Sequence, residues 1–464
     1  MIAMTLREVA EATGGRLAGG ADPGARVTGP VVVDSRQVVP GALFAALPGE
    51  RVDGHDFAAG AVQAGAVAAL AERDLDVPCV VVGDGAGVTA LGVLARAVLD
   101  RLPGLAVVGL TGSSGKTSTK DLLAAVLAAA GPTVAPVGSF NNEVGVPLTV
   151  LRAEEATAHL VVEMGARGAG HIAELCRTAP PRVGVVLNVG SAHVGEFGGR
   201  AAIAAAKGEL VEALPADGTA VLNADDPLVA AMAARTAARV VTFGESAGAD
   251  VRARDVEIDE RGRARFTLVA ADGAEPVALR LYGEHHVSNA LAAAAAALAL
   301  GLDLAPVAQA LSAAEPASRY RMEVTDRPDG VTVVNDAYNA NPESVRAALK
   351  ALVAIGRGRR TWAVLGEMLE LGGASVHEHD ALGRLAVRLD VSRLVAVGDG
   401  ARAVHTGAVH EGSWGEESVH VRDAEEAYAL LHEQLRPGDV VLVKASNSIG
   451  LHALGDRLAA EGTP

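Results

Sequence analysis

Apolar residues in this chain form short continuous runs rather than a strict alternation with polar ones. Residues 105–110, 160–162 and 183–187 are such runs, and they are typical of parallel strands that helices cover on both faces. A helical pattern over residues 118–130 follows closely after the first run. The middle of the chain is therefore predicted to be a parallel α/β sheet.

The pattern changes towards the end of this region. Residues 251–281 alternate polar and apolar positions around a turn at 260–262, which predicts a β-meander added to the sheet. From about residue 317, strands again alternate with helices, which predicts a Rossmann-like unit. Its predicted strands cover residues 331–334, 362–365, 394–397 and 440–443.

The first hundred residues contain short β/α units and end with a predicted helix at 87–100, before a Leu-Pro-Gly turn. We therefore predict an α/β fold with three domains. These are a small N-terminal α/β domain (residues 1–102), a central P-loop ATPase-like parallel sheet with the added meander (103–315), and a C-terminal Rossmann-like domain (316–464).

Composition narrows the class of protein. The formal net charge is −16 and no long Lys/Arg block occurs, which argues against nucleic acid as a partner. The two cysteines, Cys79 and Cys176, cannot form a disulfide framework. The longest apolar run, residues 290–302, is too short to span a bilayer, and the first residues lack a signal-peptide pattern. We expect a cytoplasmic protein with no membrane insertion.

The strongest chemical signal is the glycine-bearing turn between the run at 105–110 and the helix after it. Strand, turn and helix in this order direct backbone N–H groups and a helix N-terminus at anionic oxygens. Lys116 would neutralise the β- and γ-phosphates of ATP, and the Thr117 hydroxyl would hold Mg²⁺. The alternative is a Gly/Ser-rich turn with an exposed lysine. The predicted ATP-binding residues of this loop are Thr111, Gly112, Ser113, Ser114, Gly115, Lys116 and Thr117.

Two residues follow the next strands at the same edge of the predicted sheet. Glu163 ends the run at 160–162 and points towards the crevice where such sheets bind ligands. It is a candidate Mg²⁺ ligand, or else a solvated glutamate. His193 follows the run at 183–187 and is a second candidate, although a histidine in a loop is more often structural.

The phosphate loop reads Thr-Gly-Ser-Ser-Gly-Lys-Thr, with Leu110 where the common loop has its first glycine. This shorter form resembles the ATP loop of the Mur ligases and of folylpolyglutamate synthetase. Residues 188–193 resemble the N-x-G-x-x-H segment of the Mur ligases, and the similarity extends over essentially the whole chain. The resemblance implies that ATP phosphorylates a carboxylate and that an amine then attacks the acyl phosphate.

The same resemblance assigns roles to single residues. It implies that Lys207 is carbamylated and that two Mg²⁺ ions are held by Thr117, Glu163, His193 and the Lys207 carbamate. Lys116, His193 and Lys207 would be the catalytic residues. A lysine on a helix is otherwise usually a solvated surface residue.

Three more residues of this chain match nucleotide contacts of the family. Asn289 would bind adenine, Arg321 the phosphates and Asp336 the ribose. The alternatives are a helix N-cap for Asn289, a surface ion pair for Arg321, and a helix cap for Asp336.

The flanking segments indicate the substrates. Asp34, Ser35 and Arg36 resemble the domain that binds the UDP-linked substrate, and residues 336–342 resemble the D-A-Y-N-A-N-P segment of the dipeptide-adding Mur ligase. This implies that a monomer joins D-alanyl-D-alanine to UDP-N-acetylmuramoyl-tripeptide. The alternatives are another Mur-type or folylpolyglutamate-type ligase, or a nucleotide-binding protein without catalysis. The third residue of the tripeptide is not encoded in any motif that we recognise.

Overall fold

The computed structural model describes residues 1–49, 52–190, 199–412 and 417–461. Short strands and three helices form the first part of the described chain. They are β1 (Met4–Thr5), α1 (Leu6–Thr13), β2 (Arg16–Ala18), β3 (Arg26–Val27), β4 (Val31–Val32), β5 (Leu43–Ala45), α2 (Ala58–Gln63), β6 (Ala68–Ala71), β7 (Cys79–Val81) and α3 (Gly87–Asp100). Five strands form a sheet in the order β2-β7-β6-β5-β4, in which only β2 is antiparallel to its neighbour. The predicted helix at residues 87–100 is confirmed.

The central part alternates strands and helices before it ends in a meander and two further helices. Its strands are β8 (Ala106–Thr111), β9 (Thr133–Val134), β10 (His159–Glu163), β11 (Val183–Val186), β12 (Thr219–Asn223), β13 (Arg239–Gly244), β14 (Val251–Ile258), β15 (Arg263–Ala270) and β16 (Gly273–Tyr282). Its described helices are α4 (Lys116–Ala128), α5 (Gly145–Val150), α6 (His171–Thr178), α7 (Arg200–Glu212), α8 (Pro227–Ala230), α9 (His286–Ala299) and α10 (Leu304–Ala313).

All nine of these strands belong to one sheet, in the order β16-β15-β14-β13-β12-β11-β8-β10-β9. The strands from β9 to β14 are parallel, whereas β15 is antiparallel to both of its neighbours, β14 and β16. The predicted meander is therefore confirmed, and β14 joins it directly to the main sheet. The alanine side chains of α9 are buried around the helix, and their small size lets α9 pack closely on α4 and on the sheet.

One predicted boundary needs correction. The helix after the phosphate loop begins at Lys116 rather than at residue 118. Gly115 precedes it in the left-handed conformation, with φ of 80°, so Lys116 and Thr117 already lie in the first helical turn. Their backbone N–H groups therefore belong to the helix N-terminus, which favours anions.

The last part of the chain is a second α/β unit. Its elements are β17 (Glu323–Asp326), β18 (Thr332–Asn335), α11 (Pro342–Ile355), β19 (Thr361–Leu365), α12 (Ser375–Arg388), β20 (Arg393–Val397), α13 (Arg402–Glu411), β21 (Ser418–Val421), α14 (Ala424–Gln434), β22 (Val440–Lys444) and α15 (His452–Ala460). The strand order is β17-β18-β22-β19-β20-β21, and only β17 is antiparallel to its neighbour. Apolar cores lie on both faces of this sheet, as a Rossmann-like unit requires.

The predicted α/β class with parallel-sheet domains is thus confirmed. The predicted domain boundaries at 102 and 315 fall in the connections before β8 and before β17, and this division of the chain stays a prediction. Within the described part of the chain, no helix combines the length and apolarity needed to cross a membrane.

Candidate active site

A cavity of ≈ 330 Å³ lies at the carboxyl end of β8. β8 stands between β10 and β11 in the sheet, although the chain visits them in a different order. Open α/β sheets bind ligands at such a change in strand order. The cavity lining includes the predicted residues Ser113, Ser114, Gly115, Lys116, Thr117, Glu163, Lys207 and Arg321. Residues predicted from separate segments of the sequence therefore meet in one place.

The phosphate loop holds its lysine close to its own backbone. The Lys116 ammonium donates a 2.8 Å hydrogen bond to the carbonyl of Gly112. Burial lowers the pKa of Lys116, and the nearby Glu163 carboxylate partly opposes that shift. The alternative of a simple exposed lysine is therefore wrong, because this ammonium lies half-buried in the cavity.

Asn188 shapes the loop from the neighbouring strand and was not among the predicted site residues. Its Oδ1 accepts from the backbone N–H groups of Ser113 and Ser114, at 3.0 and 2.9 Å. Its Nδ2 donates to the Ser114 carbonyl at 3.1 Å. An asparagine directly after a buried parallel strand was the available signal, of the same kind as the one that identified Glu163.

Glu163 has the environment of a cation ligand. Its residue is 1% exposed, and Oε1 accepts a 2.8 Å hydrogen bond from Nδ2 of Asn141. Oε2 is buried without a partner. The alternative of a solvated glutamate is therefore wrong. A buried carboxylate oxygen without a partner is compatible with a cation ligand, and the Mg²⁺ role of Glu163 stays a prediction.

The described residues contain no group of three or more His, Cys, Asp or Glu side chains that could by themselves enclose a metal ion. Mg²⁺ is usually bound by one or two carboxylates together with water and substrate phosphates. The Glu163 carboxylate and the buried Thr117 hydroxyl, which both line the cavity, fit that kind of site.

Lys207 lies on α7 and is 6% exposed. Burial, and secondarily the Lys116 ammonium, lower its pKa well below the ordinary value for a lysine. The alternative of a solvated surface lysine is therefore wrong. A lowered pKa increases the fraction of neutral amine, which is the nucleophilic form. His193, the remaining predicted catalytic residue, lies outside the described residues.

Asn289 lies behind the loop rather than in the cavity lining. Its Oδ1 accepts from the Thr119 hydroxyl at 3.2 Å, and its Nδ2 lies 3.3 Å from Nδ1 of His286. It packs against Gly115 so closely that a Cβ there would lie 2.5 Å from Oδ1. Contact of Asn289 with adenine stays a prediction, while its support of the phosphate loop is visible.

Arg321 belongs to the C-terminal unit and contacts the phosphate loop. Its Nη2 lies 3.3 Å from the Thr117 hydroxyl, and its guanidinium lies over the Tyr338 ring at 4.3 Å from the centroid. Its Nε is buried without a partner. Arg321 is thus no surface ion pair, and its contact with the nucleotide phosphates stays a prediction.

The Asp336 carboxylate binds two groups, a backbone N–H and an ammonium. Its Oδ1 accepts from the Met322 backbone N–H at 3.0 Å, and its Oδ2 pairs with the Lys444 ammonium at 2.6 Å. Lys444, which ends β22, was not predicted to belong to the site. Contact of Asp336 with a ribose stays a prediction.

The predicted UDP-binding residues lie on the first sheet's surface. Asp34 accepts from the backbone N–H of Arg36 and pairs with its guanidinium at 2.7 Å. The hydrogen bonds from Arg36 lower the pKa of Asp34 to about 2. The preceding residue, Val33, borders a groove together with Ser139 and Asn141, which also line the main cavity. Asp34, Ser35 and Arg36 directly follow Val33 in the sequence, and their contact with a UDP-linked substrate stays a prediction.

Comparison with known families gives matches along most of the chain. The match to "Mur ligase family, catalytic domain" covers residues 30–103. "Mur ligase middle domain" matches residues 110–297, and "Mur ligase, glutamate ligase domain" matches residues 320–447.

Individual proteins match over the same extent. The UDP-N-acetylmuramoyl-tripeptide–D-alanyl-D-alanine ligase of Mycobacterium tuberculosis is 54% identical, and the alignment covers 100% of this chain and 99% of that protein. The enzyme of that name from Escherichia coli is 36% identical over 88% of each chain. MurF from Acinetobacter baumannii superposes with a TM-score of 0.88 at 33% identity, covering 99% of both chains. MurF ligase from Thermotoga maritima in complex with ADP gives a TM-score of 0.80 at 31% identity, covering 94% of this chain and 98% of that one.

Proposed function

Because this chain belongs to the Mur ligase family, we propose that it joins D-alanyl-D-alanine to the terminal carboxylate of UDP-N-acetylmuramoyl-tripeptide with consumption of ATP. The product is the UDP-N-acetylmuramoyl-pentapeptide precursor of peptidoglycan. The observation that carries this proposal is the full-length identity of 54% to relatives named for that activity. The solved relative in complex with ADP supports the use of ATP.

The reaction has two steps. An oxygen of the tripeptide carboxylate attacks the γ-phosphorus of ATP, the bond to the β-phosphate oxygen breaks, and an acyl phosphate and ADP form. The amine of the dipeptide then attacks the acyl carbon, phosphate leaves, and the amine proton is lost as the amide forms. Lys116 and Arg321 lie where they would stabilise the transferred phosphoryl group electrostatically.

Mg²⁺ fits the same site and would be held by the Thr117 hydroxyl and the unpartnered Oε2 of Glu163. We assign a second ion to His193 and to a carbamate on Lys207. Bound Mg²⁺ supplies positive charge that stabilises the transition state of phosphoryl transfer. The low pKa of Lys207 supports the carbamate, because only the neutral amine can add to CO₂.

Contacts between the central and C-terminal units would exclude water from the acyl phosphate. The Ser139 hydroxyl is hydrogen-bonded to the Tyr338 hydroxyl, and Nδ2 of Asn341 lies 3.5 Å from the Ser113 carbonyl. We propose that residues 316–464 act as a domain that closes on residues 103–315, while residues 1–102 hold the UDP-linked substrate. We further propose a monomer in the cytoplasm.

Phosphate release tests the function. We expect release only when ATP, UDP-N-acetylmuramoyl-tripeptide and D-alanyl-D-alanine are all present. Release that does not need the dipeptide would contradict the proposal. Release with folate and glutamate would identify a folylpolyglutamate-type ligase, and ATP binding without release for any acceptor would identify a non-catalytic protein.

A further inference from the structure

The backbone on both sides of Arg321 is strained. Tyr320 and Met322 have φ angles of 60° and 51°, in the left-handed region that large side chains rarely adopt. Two such residues separated by a single position persist only where their surroundings hold them. The side chain of Arg321, between these two residues, reaches Thr117, and its Nη2 lies 3.3 Å from the Thr117 hydroxyl.

Hydrogen bonds from the loop that follows β18 hold this segment. The carboxylate of Asp336 accepts from the N–H of Met322 at 3.0 Å. The N–H of Tyr338 donates to the carbonyl of Tyr320 at 3.2 Å. Asp336 therefore fixes the strained residue that directly follows Arg321.

The Lys444 ammonium holds the Asp336 carboxylate in place. Its ammonium pairs with Oδ2 at 2.6 Å and donates to the Asn339 carbonyl at 2.9 Å. The Lys444 side chain is 2% exposed and that of Asp336 is 10% exposed. A carboxylate buried to this extent needs a charged partner, and a charged acceptor holds a backbone N–H more strongly than a neutral one.

We propose that Lys444 is a positioning residue for phosphoryl transfer, acting through Asp336 and the backbone of Met322 to hold Arg321 at the phosphate site. Lys444 is not among the described residues that line the cavity, and the contacts that carry this inference are its bonds to Asp336 and Asn339. The catalytic part of this inference rests on the proposed function.

A double-variant cycle tests the chain of contacts. We expect Lys444→Met to lower kcat/KM for ATP by about tenfold, the effect of losing one charge-assisted hydrogen bond. Because Lys444 acts through Arg321, the same substitution should cause no further loss in an Arg321→Ala background. A Lys444→Met loss that multiplies with that of Arg321→Ala, or an unchanged kcat/KM, would overturn the proposal. The matched control is Lys350→Met, which removes an exposed lysine from α11 and should leave kcat/KM unchanged.

A second variant covers the case in which Lys444→Met does not fold. In Asp336→Asn/Lys444→Met the buried pair is neutral, while the new amide oxygen at position 336 still offers an acceptor to the N–H of Met322. Because Lys444 acts through Asp336, we expect the kcat/KM for ATP of this double variant to lie within about threefold of that of Asp336→Asn alone. A further loss of about tenfold below Asp336→Asn would show that Lys444 has another role and would overturn the proposal.

Backbone amide exchange separates this inference from the proposed function. We expect faster exchange at Met322 and weaker ADP binding in Lys444→Met than in Lys350→Met. If the unsubstituted protein releases no phosphate with both substrates, the proposed function fails, and these two measurements still decide the role of Lys444. Unchanged exchange at Met322 together with unchanged ADP binding would overturn it.

Discussion

Asn188 allows a direct test of how the phosphate loop is shaped. It lies after β11, and its side chain makes three hydrogen bonds of 3.1 Å or less to the loop, to the N–H groups of Ser113 and Ser114 and to the Ser114 carbonyl. Asn188→Ala removes these three and a longer bond from the Ser114 hydroxyl at 3.4 Å, and it changes no charge. The bond from the Ser113 N–H to the backbone carbonyl of residue 188 remains. We expect the loop to lose its fixed conformation while the sheet beneath it remains folded.

The magnitude follows from these contacts. Each hydrogen bond contributes about 1 kcal/mol net, so the three together contribute about 3 kcal/mol at most. Water can reach part of the freed backbone, because Asn188 is only half-buried, which lowers the loss. A loss of about 1–3 kcal/mol in ATP binding corresponds to a KM for ATP that is about 5- to 150-fold higher.

The KM for ATP, measured through phosphate release with saturating tripeptide and dipeptide substrates, is the readout. The matched control is Asn223→Ala on the adjacent strand β12. Asn223 bonds to the Leu187 carbonyl and the Asp225 N–H without contacting the loop. We expect Asn223→Ala to lower the free energy of unfolding but not to raise the KM. Equal KM values for the two variants would refute the assignment of Asn188 as a support of the loop.

Three further predictions rest on single sites. Gly115→Ala should destabilise the protein by about 2–4 kcal/mol and abolish ATP binding. Gly115 has φ of 80°, and a Cβ added there would lie 2.5 Å from Oδ1 of Asn289. The control is Gly14→Ala, at φ of 67° in open space, which should lower the free energy of unfolding by only about 1 kcal/mol. In protein freed of bicarbonate, where Lys207 carries no carbamate, Lys207→Met should raise the free energy of unfolding at neutral pH. The reason is that a lysine whose pKa is lowered on folding destabilises the folded state as pH falls from 10.5 towards that lowered pKa. With bicarbonate and all substrates present, turnover of Lys207→Met should fall about a hundredfold or more, and turnover in Lys207→Ala that short carboxylic acids fail to restore would argue against the carbamate. Burial lowers the pKa of His285 from 6.5 to about 4, so this histidine binds a proton more readily in the unfolded chain. The free energy of unfolding should therefore decline as pH falls from 6.5 to about 4, and His285→Gln should flatten the decline measured by urea unfolding.

The sequence was most informative where a pattern is continuous along the chain. The apolar run before the phosphate loop predicted β8, and the alternation at residues 251–281 predicted β14 to β16. Glu163 and Lys207 were predicted from their position and family resemblance, and the structure places both in one cavity. The start of α4 was predicted two residues late, because the left-handed conformation of Gly115 that begins the helix depends on backbone geometry that composition does not determine.

The side chains that support these residues were not predicted, and the reason is physical. Asn188 and Lys444 bind partners that lie 74 and 108 positions away along the chain. A buried asparagine or lysine is stable only when tertiary packing brings its partner to it. The residues near it in the sequence therefore do not reveal which distant residue is its partner.

Such pairs nevertheless occur at a predictable place in the fold. Asn188 follows β11, Glu163 ends β10 and Lys444 ends β22, and each of these strands is flanked by parallel neighbours. Since the carboxyl ends of parallel strands meet at the ligand-binding edge, a polar residue at the end of an otherwise apolar strand has few ways to remain buried. It can bind a ligand, as we propose for Glu163, or hold a residue that does, as we infer for Asn188 and Lys444. The third way is to bond to backbone at the same edge, as Asn223 does at the end of β12. The substitutions at Asn188 and Lys444 therefore test one rule in two separate sheets, and in both cases the KM for ATP or kcat/KM should change more than it does in the matched control.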